Sequence, residues 1–242
     1  HDLSVSDGLF TKGARPTQMT YPDGTNLDYG YGSNGSADDK LSRINNLSFD
    51  GTNVCQYEHF GLASIAQVAY PQPQVLFNLK TGAGADPYAG LDRFDQVVDC
   101  LWQKTSAPAA DLVRLKYGYN RVGNRTHRED VVAKVNGKNF DELYGYDRLH
   151  RLTVFHRGIL TDNNAVIINP AFQQRWGLDA TGNWRNFTQN DQADAENTID
   201  QERLHNQVNE ITEITRRVGP AWTTPEYDRN GNMVVIPQPN AM

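Results

Sequence analysis

The chain has 242 residues, 38% of them hydrophobic and 10% aromatic, with a mean hydropathy of -0.65 and a formal charge of -6. That length can bury a real core, as one large β domain or two ordinary ones, while the acidic balance argues against general affinity for nucleic acid or anionic lipid, which need a basic surface. Two cysteines, Cys55 and Cys100, allow at most one disulfide, and no run of about 18 apolar residues reads as a membrane-spanning helix.

Residues 1–19 read as an N-terminal lead-in. Near residue 20 a pattern begins in which β-formers surround an aromatic and an Asp or Asn follows. Leu27-Asp-Tyr-Gly-Tyr31, the polar run from Gly32 to Asp39 and Leu41-Ser-Arg-Ile44 read as a hairpin with a long polar loop. Val54-Cys-Gln-Tyr57 and Leu62-Ala-Ser-Ile65, joined through His59-Phe-Gly61, form a second pair of strand-like runs. Gly82-Ala-Gly84, before Asp86-Pro87-Tyr88, reads as a turn and not as a phosphate loop.

From there one unit recurs. Its clear copies are Tyr117-Gly-Tyr-Asn-Arg-Val-Gly-Asn-Arg-Thr126, Tyr144-Gly-Tyr-Asp-Arg-Leu-His-Arg-Leu-Thr153, Arg175-Trp-Gly-Leu-Asp-Ala-Thr-Gly-Asn-Trp184 and Glu226-Tyr-Asp-Arg-Asn-Gly-Asn-Met-Val234. Gly90 to Val98 and Arg203 to Ile211 are weaker copies. Anchored on Asp92, Asn120, Asp147, Asp179, Asn206 and Asp228, the gaps are 28, 27, 32, 27 and 22 residues. Tyr, Trp, Leu and Val suit a pleated, half-buried surface, and Asp or Asn followed by Gly supplies the side-chain cap and positive φ of a tight turn. The signature residues are therefore Tyr117, Tyr119, Asn120, Gly123, Tyr144, Tyr146, Asp147, Trp176, Asp179, Gly182, Tyr227, Asp228 and Gly231. Aromatics are expected to stack along the sheet, with the strand glycines leaving room for a neighbouring strand's aromatic. Thr198 to Thr215 partly fits a helical period, but the copy inside it favours strands. The chain is predicted to be all-β, at least about 40% strand and under about 10% helix.

Tyr146-Asp-Arg-Leu-His-Arg-Leu152, Tyr227-Asp-Arg-Asn-Gly-Asn232 and Tyr119-Asn-Arg-Val-Gly-Asn-Arg125 resemble the tyrosine-aspartate (YD) repeats of the RHS family, over roughly residues 20 to 235. The resemblance implies repeated hairpins in a curved, spiralling sheet, part of a β-shell like those of bacterial RHS proteins, insecticidal toxin-complex subunits and teneurins. It implies a non-catalytic scaffold that encloses or displays a toxin, effector or other partner, with carbohydrate or cell-surface adhesion as the alternative, and a secreted or cell-surface setting in bacteria. The family's Pro-rich, self-cleaving end has no counterpart here, so no autoproteolysis carries over. With a start at His1 and a short tail over residues 236–242, the chain reads as a piece of something longer, partnered by the rest of that chain or by copies of itself through sheet edges.

Candidate chemistry is sparse. His1, His59, His127, His150, His156 and His205 are dispersed, and no nucleophile elbow or dinucleotide motif is present, so no catalytic residue or cofactor is expected. Asp191, Asp194, Glu196 and Asp200 are close enough in sequence to make a weak calcium candidate, without the Gly and spaced Glu of an EF-hand. Asp38-Asp39 reads as a loop charge pair.

Overall fold

The computed structural model describes residues 2–5, 15–62, 64–80 and 88–239, with the side chains of 2–5, 169 and 196 outside that description. The Gly82-Ala-Gly84 turn and His1 lie outside it as well. Strand accounts for 53% of the chain and helix for 5%, so the all-β expectation holds. Two compact units are present, residues 1–116 and 117–242.

In the first unit the strands are β1 (Asp2–Val5), β2 (Pro16–Thr20), β3 (Asn26–Gly30), β4 (Asn46–Phe49), β5 (Thr52–Phe60), β6 (Ser64–Tyr70), β7 (Val75–Asn78), β8 (Asp99–Lys104) and most of β9 (Ala110–Tyr119). Each pairs antiparallel with the next in sequence. Sequential hairpins make local contacts, so the topology follows directly from the turn spacing. Buried Phe60, Ala66 and Leu79 form a core against which Phe77, Leu91, Val97 and Cys100 pack. Cys55 and Cys100 are not joined in a disulfide.

The loop expected after Tyr31 is not a plain loop. It contains a helical turn, α1 (Ala37–Lys40), capped by Ser36, whose hydroxyl accepts from the Asp39 amide, and the returning strand starts at Asn46, not at Leu41. Asp38 and Asp39 are structural anchors in place of a solvated charge pair. Asp39 is 3% exposed and holds Arg15 at 2.7 Å, while Asp38 holds Arg43 at 2.6 Å. Asp39 of α1 thereby ties the lead-in to the hairpin, a role legible only once Arg15 is seen beside it.

The second unit carries β10 (Arg125–Asp130), β11 (Asp141–Tyr146), β12 (Leu152–Leu160), β13 (Ile167–Leu178), β14 (Trp184–Asp191), β15 (Ile199–His205) and β16 (Ile211–Val218), again each antiparallel to the next, and a separate pair, β17 (Glu226–Tyr227) and β18 (Met233–Val235). Thr198 to Thr215 falls in β15, the following turn and β16, so the strand reading of that segment is correct. A five-residue helix, α2 (Val131–Val135), interrupts the repeat between β10 and β11, N-capped by Asp130 through the Ala133 amide at 3.0 Å.

Packing in this unit runs along the sheet. Tyr144 meets Phe155 at 5.7 Å between ring centres and Phe155 meets Phe172 at 6.1 Å, while Trp176, Trp184 and Phe187 lie within 5.5 to 6.0 Å of one another. Such cross-strand pairs contribute roughly 0.2 to 1 kcal/mol each, so stability is spread over many pairs and not concentrated in one core. Buried Asp141 is satisfied by the Asp130 and Leu160 amides at 2.9 and 3.0 Å. Neighbouring Glu142 holds Arg128 and Arg157.

Candidate functional site

The repeat signature resolves into one turn, built six times. At Asp147 the anchor amide donates to the Arg151 carbonyl at 3.0 Å and the His150 amide donates back to the Asp147 carbonyl at 3.0 Å. One side-chain oxygen, Oδ1, then accepts from the Leu149 and Arg151 amides, both at 2.9 Å. Asp92, Asn120, Asp179, Asn206 and Asp228 repeat this scheme, each Oδ1 accepting from the amides two and four residues on at 2.8 to 3.1 Å. The residue three after the anchor always has positive φ: Asp95, Gly123, His150, Gly182, Asn209 and Gly231. This is a turn closed by a left-handed residue that forms a bulge at the start of the return strand. The bulge recurs in register, with Tyr146 opposite Leu152, Leu178 opposite Trp184, His205 opposite Ile211 and Tyr227 opposite Met233. The two weak sequence copies are full members.

The Tyr of the signature performs a different task from the Asp. Tyr146, just before its anchor, donates from Oη to the Arg125 carbonyl at 2.8 Å, and Tyr227 accepts on Oη from the Ile211 amide at 3.1 Å. Arg125 and Ile211 each stand five residues past the preceding anchor. The Asp thus closes its own hairpin, and the Tyr ties that hairpin to the one before. Further ties link neighbouring turns: Arg151 donates to the Asp179 carbonyl at 2.8 Å and Asn183 to Asn209 Oδ1 at 2.8 Å. Tyr117 lies under the Arg125 guanidinium at 4.5 Å. Burial pushes the Tyr144 hydroxyl up to about 12, helped by its hydrogen bond to Glu142.

The strand glycines do leave room, though not for aromatics as a rule. A Cβ on Gly118 would stand 2.1 Å from the His127 ring, and one on Gly177 would stand 3.1 Å from Asn186. Backbone approach by any cross-strand side chain is the constraint.

Of the calcium candidates, Asp191 accepts from the Ala193 amide and Asp194 from the Asn197 side chain, closing their own loop, while Asp200 sits in β15 opposite Thr188 and Val218. The Glu196 side chain lies outside the described residues. Among the described residues no group of three or more His, Cys, Asp or Glu is placed to hold a metal, and no helix is long and apolar enough to cross a membrane. His127, His156 and His205 have pKa values lowered first by burial. His150 instead occupies the left-handed position of its turn.

Sequence reading missed two features. Tyr21-Pro-Asp-Gly-Thr25 is a seventh turn with the same backbone pairing and Gly24 at φ +87°, announced by Pro-Asp-Gly but lacking an anchor carboxylate at its first position. The second is an open hollow of about 530 Å³, lined by Trp184, Arg203, His205, Ile211, Tyr227 and Met233 and rimmed by the turns at Gly182, Asn209 and Gly231. No spacing rule marks it, because its lining is divided among three successive repeats, three or four residues from each.

No family model and no curated protein matches the chain. Solved structures do. Those described as "Crystal Structure of TcdB2-TccC3-TEV" and "Crystal Structure of TcdB2-TccC3-Cdc42" both superpose with a TM-score of 0.56, at 12% and 11% identity, over 90% of this chain and 11% of theirs. The likeness is one of fold, and the chain spans about a tenth of the length of the proteins it matches. The hairpin-built all-β fold implied by the YD-repeat resemblance is the one that the chain shares with these structures.

Two outcomes follow from the turn geometry. Replacing Gly123 (φ +84°) or Gly182 (φ +98°) by Val is expected to destabilise by roughly 1 to 3 kcal/mol in chemical denaturation, because a β-branched residue resists the left-handed region. The carboxyls of Asp147, Asp179 and Asp228 are held below the usual range, that of Asp147 chiefly by the Arg151 amide, of Asp179 by the Thr181 hydroxyl and of Asp228 by the Asn232 side chain. A depressed folded-state pKa makes its stabilisation complete above the unfolded value of about 4 and lost as pH falls through the folded value. Thermal melts should therefore weaken progressively below about pH 4, and the triple Asp→Asn variant at 147, 179 and 228 should show a shallower acid slope, since Asn120 and Asn206 close the same turn without charge.

Proposed function

We propose that the chain is a non-catalytic scaffold, a stretch of YD-repeat shell whose hairpins enclose or present a toxin, effector or other partner. The observation that carries this reading is the six-fold recurrence of one turn, with its side-chain hydrogen bonds, at spacings of 22 to 32 residues. A repeated unit whose polar groups are spent on closing its own turns and joining its neighbours builds a wall. The fold likeness to the toxin-complex structures over 90% of the chain supports a shell-like role. Its immediate partners are further strands at the outer edge of β16, the last strand of its sheet, contributed by the rest of a longer chain or by a second copy. We place it, on the same reading, in a secreted or cell-surface setting.

Adhesion to carbohydrate is the second reading, favoured by Trp184, which is 41% exposed in the open hollow. Protease protection separates the two. Expressed with the sequence that follows it in its parent polypeptide, the scaffold is expected to shield that segment from protease under native conditions and to release it to digestion once the turns are disrupted by Gly123→Val and Gly182→Val together. Digestion of the following segment at the same rate with and without intact repeats would overturn enclosure.

A further inference from the structure

Arg203 is the odd charge in the second unit. Its guanidinium donates to Gln201 Oε1 at 3.1 Å, its Nε is buried without a partner, and no carboxylate pairs with it among the described residues. Aromatic faces surround it instead: Trp184 at 5.2 Å, Phe187 and Trp222 at 6.0 Å. Arg125 has a comparable ring contact, with Tyr117, but Arg128, Arg151 and Arg157 each hold a carboxylate. Cation–π contact offsets part of the cost of desolvating a guanidinium, yet leaves its charge without a carboxylate and its fork of donors met only by Gln201 among the described residues.

The hollow gives that charge a destination. Arg203 forms part of its wall, as do Trp184, His205, Ile211, Tyr227 and Met233. The Tyr227 hydroxyl accepts from the Ile211 amide, which leaves its own proton to donate. Burial lowers the pKa of His205, which stands beside it in the wall. The volume of about 530 Å³ is within the range of ligand sites.

The wall also discriminates between acidic ligands. At the rim the Asn183 amide group donates to Asp179, Thr181 and Asn209, and Asn209 Oδ1 accepts from Asn183 and Thr181, so these polar atoms are engaged within the turns. Ile211 and Met233 add aliphatic surface that suits apolar side chains. We infer that this hollow is a peptide-docking site that takes an Asp or Glu side chain flanked by an apolar residue, the carboxylate on Arg203 and Tyr227 and the apolar neighbour against Trp184, Ile211 and Met233. Since the whole chain is acidic, at -6, capture of a carboxylate here depends on this one guanidinium and not on a general field. The site stands on the geometry of the second unit alone, whatever the repeats enclose.

The test uses the full chain and three probes: an acetylated, amidated Leu-Glu-Leu tripeptide, its Leu-Gln-Leu counterpart, and free glucuronate as the acidic sugar. Binding is read from the Trp184 indole NH signal in a ¹H–¹⁵N spectrum, assigned with Trp184→Phe. Leu-Glu-Leu is expected to shift that signal and to bind roughly tenfold more tightly than Leu-Gln-Leu, as loss of a charge-assisted bond implies. In Arg203→Met the preference should vanish; because this change also leaves the fully buried Gln201 Oε1 without its donor, the fold of the variant is checked by far-ultraviolet circular dichroism, and Tyr227→Phe should reduce the preference in part. Equal binding of the Glu and Gln peptides, an unmoved Trp184 signal, or tighter binding of glucuronate than of Leu-Glu-Leu would each overturn the proposal.

Discussion

A single carboxylate or amide oxygen accepting two backbone amides, two and four residues ahead of it, is the interaction on which the rest of this molecule depends. A five-residue turn has more backbone donors than its own carbonyls can satisfy, and donors left without partners are costly wherever water is scarce. The Asp or Asn anchor satisfies two of them at once and fixes the backbone that must then pass through positive φ three residues later. Once that turn is set, the return strand begins with a bulge at a constant position, and the register of each hairpin follows.

Register alone would give a row of independent hairpins, which are marginal in water. What joins them is the antiparallel pairing that continues from one hairpin to the next, as between β12 and β13 and between β14 and β15, reinforced by a second layer of contacts: Tyr146 to Arg125, Tyr227 to Ile211, Arg151 to Asp179 and Asn183 to Asn209. The paired letters of the signature thus divide the work, one residue closing a hairpin and its neighbour fastening it to the previous one. Half-buried aromatic pairs along the sheet take the place of a thick core, which agrees with the low hydrophobic content of the chain. An architecture of this kind can be lengthened by adding units, and a wall is what such additions produce.

Much of this was legible because the repeat is local. Asp147 and Gly182 announce their turns from within five residues, and so the all-β class, the anchors and even the doubtful copy at Asn206 could be placed from sequence. Features that depend on residues far apart were not. Asp39 looked like a loop charge until Arg15, 24 residues earlier, was found against it. The strand glycines were expected to accommodate aromatics, whereas Asn186 and Val154 cover two of them, because cross-strand partners are set by register and not by type. Arg203 carried no motif, and only the assembled hollow gives it meaning.

Native-state hydrogen exchange at the turns tests the central claim most directly. If one side-chain oxygen organises each turn, the amides two and four residues past every anchor, from Phe94 and Gln96 to Asn230 and Asn232, should share one pattern of protection. Replacing Asp179 by Ala should then abolish protection at Thr181 and Asn183 while leaving Leu149 and Arg151 protected. Unchanged protection of Thr181 and Asn183 in that variant would show that the backbone closes the turn unaided and would contradict the account.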